Sequence, residues 1–142
     1  DAKIINQESE AQTLIVCGKN VDENKKELFL EKEEVDLLSL PLNKNGLIPI
    51  ETLLKKLHNR KISSILIEGG GKINYSFLRK GFIDKIYNFI APKYLGGNDG
   101  ISVFDGDGPE KMEKAINLKD YELERVGDDI LIKGYLKKEG DN

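Results

Sequence analysis

Three consecutive glycines, Gly69, Gly70 and Gly71, separate an apolar β-branched run from a segment of helical periodicity in "ISSILIEGGGKINYSFL" (62–78). This junction constrains the fold more than any other stretch, because an extended segment that feeds a helix through a glycine turn belongs to layered α/β architecture. Glycine lets the backbone approach a neighbour with no Cβ in the way and permits positive φ where a turn needs it. A carboxylate, Glu68, stands directly before the turn.

The segments around this junction alternate between strand and helix. "TLIVCG" (Thr13–Gly18) and "EVDLLSL" (34–40) are short apolar runs of the kind that form buried strands. The polar stretch between them, "KNVDENKKELFLEKE", fits either a loop or a short exposed helix. In "LIPIETLLKKLHNRKI", Ile50, Leu53, Leu54 and Leu57 recur at i, i+3, i+4 and i+7, the stripe of an amphipathic helix, with Pro49 suited to its first turn. "ISSILIE" is expected as a strand, "GKINYSFLRKG" as a helix closed by Gly81, and "DKIYNFIAP" (84–92) as the next strand. Strand, helix, strand without a tight hairpin predicts a right-handed parallel crossover. The glycine-rich "KYLGGNDGISVFDGDGPEKM" is expected to be loop, and "YELERVGDDILIKGYLKK" an antiparallel hairpin about Gly127, Asp128 and Asp129.

Composition narrows the function classes. A chain of 142 residues is enough for one hydrophobic core, so a single domain over 1–142 is expected. With 33% charged residues and no apolar run near the roughly 20 residues that cross a bilayer, no membrane partner is expected. The opening "DAKIINQESE" has neither a signal-peptide nor a transit-peptide pattern, which makes the cytoplasm the expected location. A net charge of −3, with Lys and Arg interspersed among Asp and Glu, argues against a nucleic-acid partner. Cys17 is the single cysteine and is expected to be a buried inert thiol; His58, the single histidine, is expected to be an exposed helix-end residue.

The turn itself has two readings. A loop between the carboxyl end of a strand and a helix start is where open α/β sheets bind ligands, and the free N–H groups and dipole of the helix favour an anion there. Lys72 adds a charge, and Asn74 and Ser76 add hydrogen-bonding groups. The alternative is a turn whose glycines serve close packing. "EGGGKIN" matches neither the dinucleotide fingerprint nor the P-loop. Glu68 favours a ligand: beside a phosphate it repels, but it accepts hydrogen bonds from an amide, amine or sugar hydroxyl of a second ligand. The expectation is a substrate facing Glu68 and a cofactor's phosphates facing the glycines.

Taken together, "SILIEGGGKINYSFLRKGFIDKIYNFIAPKYLGG" (64–97) resembles the second half of the reductase domain of bifunctional riboflavin-biosynthesis deaminase/reductases. The order of parts is similar over about residues 13–137, with the specific motifs within 65–97. The resemblance implies an α/β, dihydrofolate-reductase-like three-layer fold with a mostly parallel central sheet and a C-terminal antiparallel hairpin. It also implies an NADP-dependent oxidoreductase that uses NADPH to reduce 5-amino-6-(5-phosphoribosylamino)uracil to the ribitylamino compound. Glu68 would hold this phosphorylated pyrimidine, and Gly70, Gly71, Lys72, Ile73, Asn74, Tyr75 and Ser76 would form the turn on the NADP phosphates. The segment "APKYLGG" (91–97) would lie close to the site, and Asp84 would have a capping or turn role.

The resemblance departs at the front. Members of that family open the domain with a strand carrying Asp-Gly and a Ser/Thr/Arg-rich region, neither of which this chain has, and one His and one Cys cannot build the deaminase zinc site. A C-terminal fragment of a longer protein is therefore expected, with no metal site and no identified general acid. Two alternatives stand beside the reductase reading: a binding or assembly segment whose exposed sheet edge favours a homodimer, and a related reductase of the same fold with another pterin-like or pyrimidine substrate.

Overall fold

The computed structural model describes residues 10–32, 34–97 and 99–137, which cluster into two compact units, one up to Ile65 and the other from Leu66 onward. In the first unit, β1 (Thr13–Gly18) and β2 (Val35–Leu40) pair in parallel with Thr13 opposite Val35 and Gly18 opposite Leu40. Parallel pairing needs a crossover, and α1 (Glu23–Leu30) supplies it. The sequence left this stretch open between loop and helix. Asp22 decides it, because its carboxylate accepts from the N–H groups of Asn24 (2.9 Å) and Lys25 (3.4 Å) and caps the first turn. The apolar core of this unit gathers on Val35, Leu40 and Ile50, with Leu40 only 2% exposed. Cys17 is part-buried, and its Sγ lies 3.5 Å from the hydroxyl of Ser39, the residue opposite it on β2.

The stripe predicted from 50, 53, 54 and 57 forms α2 (Ile50–Asn59), with Pro49 at its N-cap and His58 exposed in its last turn. The helix stops in a full Schellman motif. Lys61 N–H donates to the carbonyl of His58 (2.8 Å) and Ile62 N–H to that of Leu57 (3.1 Å), with Lys61 itself at φ +66°. This is a position where glycine is the usual occupant, and lysine pays for its Cβ there. Arg60, the C-cap, reaches back to Asp36 of β2 and ties the helix end to the strand.

In the second unit, α3 (Gly71–Arg79) ends in the same motif with the expected residue: Gly81 at φ +70° donates to Leu78 (3.0 Å) and Phe82 donates to Phe77 (3.0 Å). The remaining strands, β3 (Lys85–Ile90), β4 (Leu118–Val126) and β5 (Asp129–Leu136), form an antiparallel sheet of order β3-β5-β4. The β4–β5 hairpin turns through Gly127 and Asp128. Positive φ at Gly127 and not at Asp128 is the pattern of a two-residue type II′ turn. Between Lys119 and Glu122 the register shifts, so that Asp120 and Tyr121 oppose the single residue Gly134. Asp120 takes φ +49° in this bulge, and a Cβ on Gly134 would stand 2.8 Å from that of Tyr121. Strand β3 ends at Ile90, two residues before the expected Pro92; the expected loop from 93 holds to 111, with Asn98 outside the described residues, and leads to a 3₁₀ turn at Met112–Lys114.

The α/β class and the terminal hairpin are thus as the sequence predicts. One expected strand is not. Residues 62–68 carry no strand, and the predicted parallel crossover falls with it: β3 pairs with β5, antiparallel, and parallel pairing among the described residues is confined to β1 and β2. Apolar β-branched composition favours a strand, but a strand exists only where another chain segment completes its ladder. Here Ile62, Ile65 and Leu66 are instead 40%, 45% and 75% exposed. Among the described residues, no helix is long and apolar enough to cross a membrane.

Two measurements test this description. Lys61→Gly removes the strain at the end of α2 and should raise unfolding free energy by about 0.5–1 kcal/mol in urea titrations. The guanidinium of Arg60, followed by the N–H of Leu37 (2.7 Å), holds the Asp36 carboxyl below its ordinary value of 3.8. A depressed carboxyl stabilises fully above that value and loses its contribution as pH falls through the lower, folded one. Asp36→Asn should therefore flatten the fall in urea midpoint below pH 3.8.

Candidate functional site

The start of α3 has two sides of different character. Gly70 is its N-cap with extended backbone (φ −71°, ψ 168°) and no side-chain cap, and nothing lies within 4 Å of where a Cβ on Gly70 would stand. The carbonyl of Gly70 accepts from the N–H groups of Ile73 (3.0 Å) and Asn74 (3.1 Å). The N–H groups of Gly71 and Lys72 have no acceptor among the described residues, as the first turn of a helix dictates. Lys72 is exposed, so its ammonium is free to sit over them. Glu68 is exposed two residues before the cap. Gly69 lies against Ile73, with room for no Cβ: one would stand 2.9 Å from that side chain.

The other side is closed by the loop 102–107. Gly71 is buried, and a Cβ on it would overlap the carbonyl oxygen of Ser102 and lie 2.9 Å from Cβ of Asp105. Asp105 N–H donates to the Gly71 carbonyl (3.0 Å), Asn74 Nδ2 donates to the Val103 carbonyl (3.1 Å), and Tyr75 Oη donates to the Asp107 carbonyl. The Tyr75 ring lies over Gly106, where a Cβ would overlap it. Asn74 Oδ1 is buried with no partner, and the Ser76 hydroxyl is turned back to the Lys72 carbonyl (2.7 Å).

The structure therefore brings together Gly70, Gly71 and Lys72 at an open helix start, and places Asn74 and Tyr75 on the loop. Sequence reasoning assigned no role to 102–107. The signal was present in "FDGDG", where Gly106 alternates with Asp105 and Asp107, a spacing that lets a ring lie against the backbone. Among the described residues no group of His, Cys, Asp and Glu is arranged to hold a metal ion. The open cradle at Gly70, the free N–H groups and the lysine fit the phosphate of a nucleotide cofactor.

The profile of the RibD C-terminal domain family matches residues 1–132. The chain belongs to the RibD C-terminal domain family. Among RibD proteins, that of Aquifex aeolicus is 35% identical over 131 residues, which is 92% of this chain and 33% of the relative. The "2,5-diamino-6-ribosylamino-4(3H)-pyrimidinone 5′-phosphate reductase" of Methanothermobacter thermautotrophicus is 33% identical over 90 residues, 63% of this chain and 42% of that protein. The chain thus spans less than half the length of either relative. Among solved structures, Acinetobacter baumannii RibD superposes with a TM-score of 0.63 at 24% identity, covering 88% of this chain and 37% of that one. That likeness establishes the dihydrofolate-reductase-like α/β fold.

The two sides of the turn predict opposite responses to the same substitution. Gly70→Ala should leave the thermal midpoint nearly unchanged, whereas Gly71→Ala, forced against Ser102 and Asp105, should destabilise by about 1–3 kcal/mol in denaturant titrations.

Proposed function

We propose that this chain is the reductase segment of riboflavin biosynthesis, reducing 5-amino-6-(5-phosphoribosylamino)uracil to its ribitylamino product with NADPH, in the cytoplasm. The observation that carries the reading is the open helix start at Gly70, Gly71 and Lys72, with Glu68 two residues before the cap, in a RibD-family chain. The names of its relatives support a reductase and a phosphorylated pyrimidine. In this reading the two units together make one reductase domain. The open side of the turn, at Gly70, Gly71 and Lys72, receives the cofactor: the Gly71 and Lys72 N–H groups bind a phosphate oxygen, and the Lys72 ammonium neutralises it. The bound dihydronicotinamide supplies the hydride. Glu68 accepts hydrogen bonds from the substrate and orients it, and its exposure before binding leaves it solvated until a ligand covers it.

The test is a Glu68→Gln variant of the full-length protein. It should lose about 10- to 100-fold in kcat/KM for the phosphoribosylaminouracil, the cost of one charge-assisted hydrogen bond, while its NADPH Kd stays within about twofold. Unchanged kinetics would remove Glu68 from the site.

The exposed Ile62, Ile65 and Leu66 favour a second reading, an assembly role in which two copies pair through this unladdered segment. Size-exclusion over a range of concentrations separates the two: a monomer at all of them rejects the assembly reading.

A further inference from the structure

We propose that Tyr75 is a positioning residue: it latches the loop 102–107 onto one face of α3 and so holds the Gly71 and Lys72 N–H groups fixed toward the open side of the turn. The inference rests on the reading of that turn as a phosphate site and assigns the control of it to a loop that the reading leaves without a role.

The geometry is that of a strap. The loop is anchored at alternate residues, Val103, Asp105 and Asp107, and the anchors on the helix side are Asn74, Gly71 and Tyr75. Residues 71, 74 and 75 share one helix face at i, i+3 and i+4, while Lys72 and Ser76 belong to the next. Both surfaces are cut to fit: Gly71 has no side chain where Ser102 and Asp105 press, and Gly106 has none where the Tyr75 ring lies. Neither glycine stands at positive φ, so backbone conformation does not demand them; the contact does.

The strap matters because of where it is placed. First turns of helices fray, and α3 starts without a side-chain cap. A phosphate gains most from N–H groups that are already oriented, since ordering them on binding costs affinity. The bond from Asp105 to the Gly71 carbonyl grips the residue whose N–H faces the proposed phosphate. Tyr75, one turn along, keeps the loop from lifting away.

The test uses the full-length protein in three forms, wild type, Tyr75→Phe and Gly106→Ala, each titrated with NADPH and with ADP and followed by amide hydrogen exchange. Phenylalanine keeps the ring and removes the hydroxyl, and alanine pushes the loop off the ring from the other side. Both variants should exchange faster at 102–107 and at 71–74, and should bind NADPH and ADP about 3- to 10-fold more weakly, the range of one lost hydrogen bond. The double variant should bind no more weakly than Gly106→Ala alone, because both act through one loop. Faster exchange with unchanged affinities would overturn the inference and leave Tyr75 a packing role; unchanged exchange in Tyr75→Phe would overturn the latch. If Gly106→Ala does not fold, Tyr75→Phe alone decides. Failure of the phosphate reading shows separately, as wild-type protein that binds neither NADPH nor ADP, and it removes the inference with it.

Discussion

The carbonyl of Ser102 and the side chain of Asp105 occupy the space where any other residue at position 71 would carry its Cβ. The arrangement of the second unit around α3 depends on this contact. With the loop seated there, one face of the first turn is filled and hydrogen-bonded, and the opposite face, from Gly70 to Lys72, is left with unsatisfied donors and open space. The asymmetry, more than the number of glycines, leaves this helix start open on one side only. Of the two readings of the glycine run from sequence, close packing describes Gly71, while Gly70 stands beside open space.

What the sequence made legible was local. The stripe at 50, 53, 54 and 57 became α2, the hairpin expected about Gly127, Asp128 and Asp129 closed through the first two of them, and Gly81 ended α3, because helix period, turn chemistry and capping are each written within a few residues. What it did not make legible was non-local. The run 62–68 has strand composition, yet a strand also needs a partner to complete its hydrogen bonds, and composition does not name one. The same limit hid the contact between 71–75 and 102–107, some thirty residues apart, although the glycine at 106 was visible. For the candidate site, residue types and the Glu-Gly-Gly-Gly order pointed to the turn, but not to the difference between its open and its loop-covered side.

The paired helix ends show how one motif is built at different cost. Both α2 and α3 close with the same two backbone hydrogen bonds, one through Gly81 and the other through Lys61. Beside the second, Arg60 is ion-paired with Asp36 on β2. Local preference for glycine at that position is thus not met at Lys61, where the same two hydrogen bonds form with a side chain present.

The bulge at Asp120 and Tyr121 opposite Gly134 carries a consequence for how this chain tolerates changes in length. On one side of it Leu118 faces the buried Leu136, and on the other Glu122 and Glu124 meet Lys133 at 3.1 and 3.0 Å. Because side chains alternate faces along a strand, deleting one residue of the bulge would leave a single residue opposite Gly134 and restore regular alternation, with Leu118 still opposite Leu136 and Lys119 still opposite Tyr135. Strand β4 therefore holds one residue more than its pairing requires, and the bulge is the place where its length can fall by one while both ends keep their partners on β5.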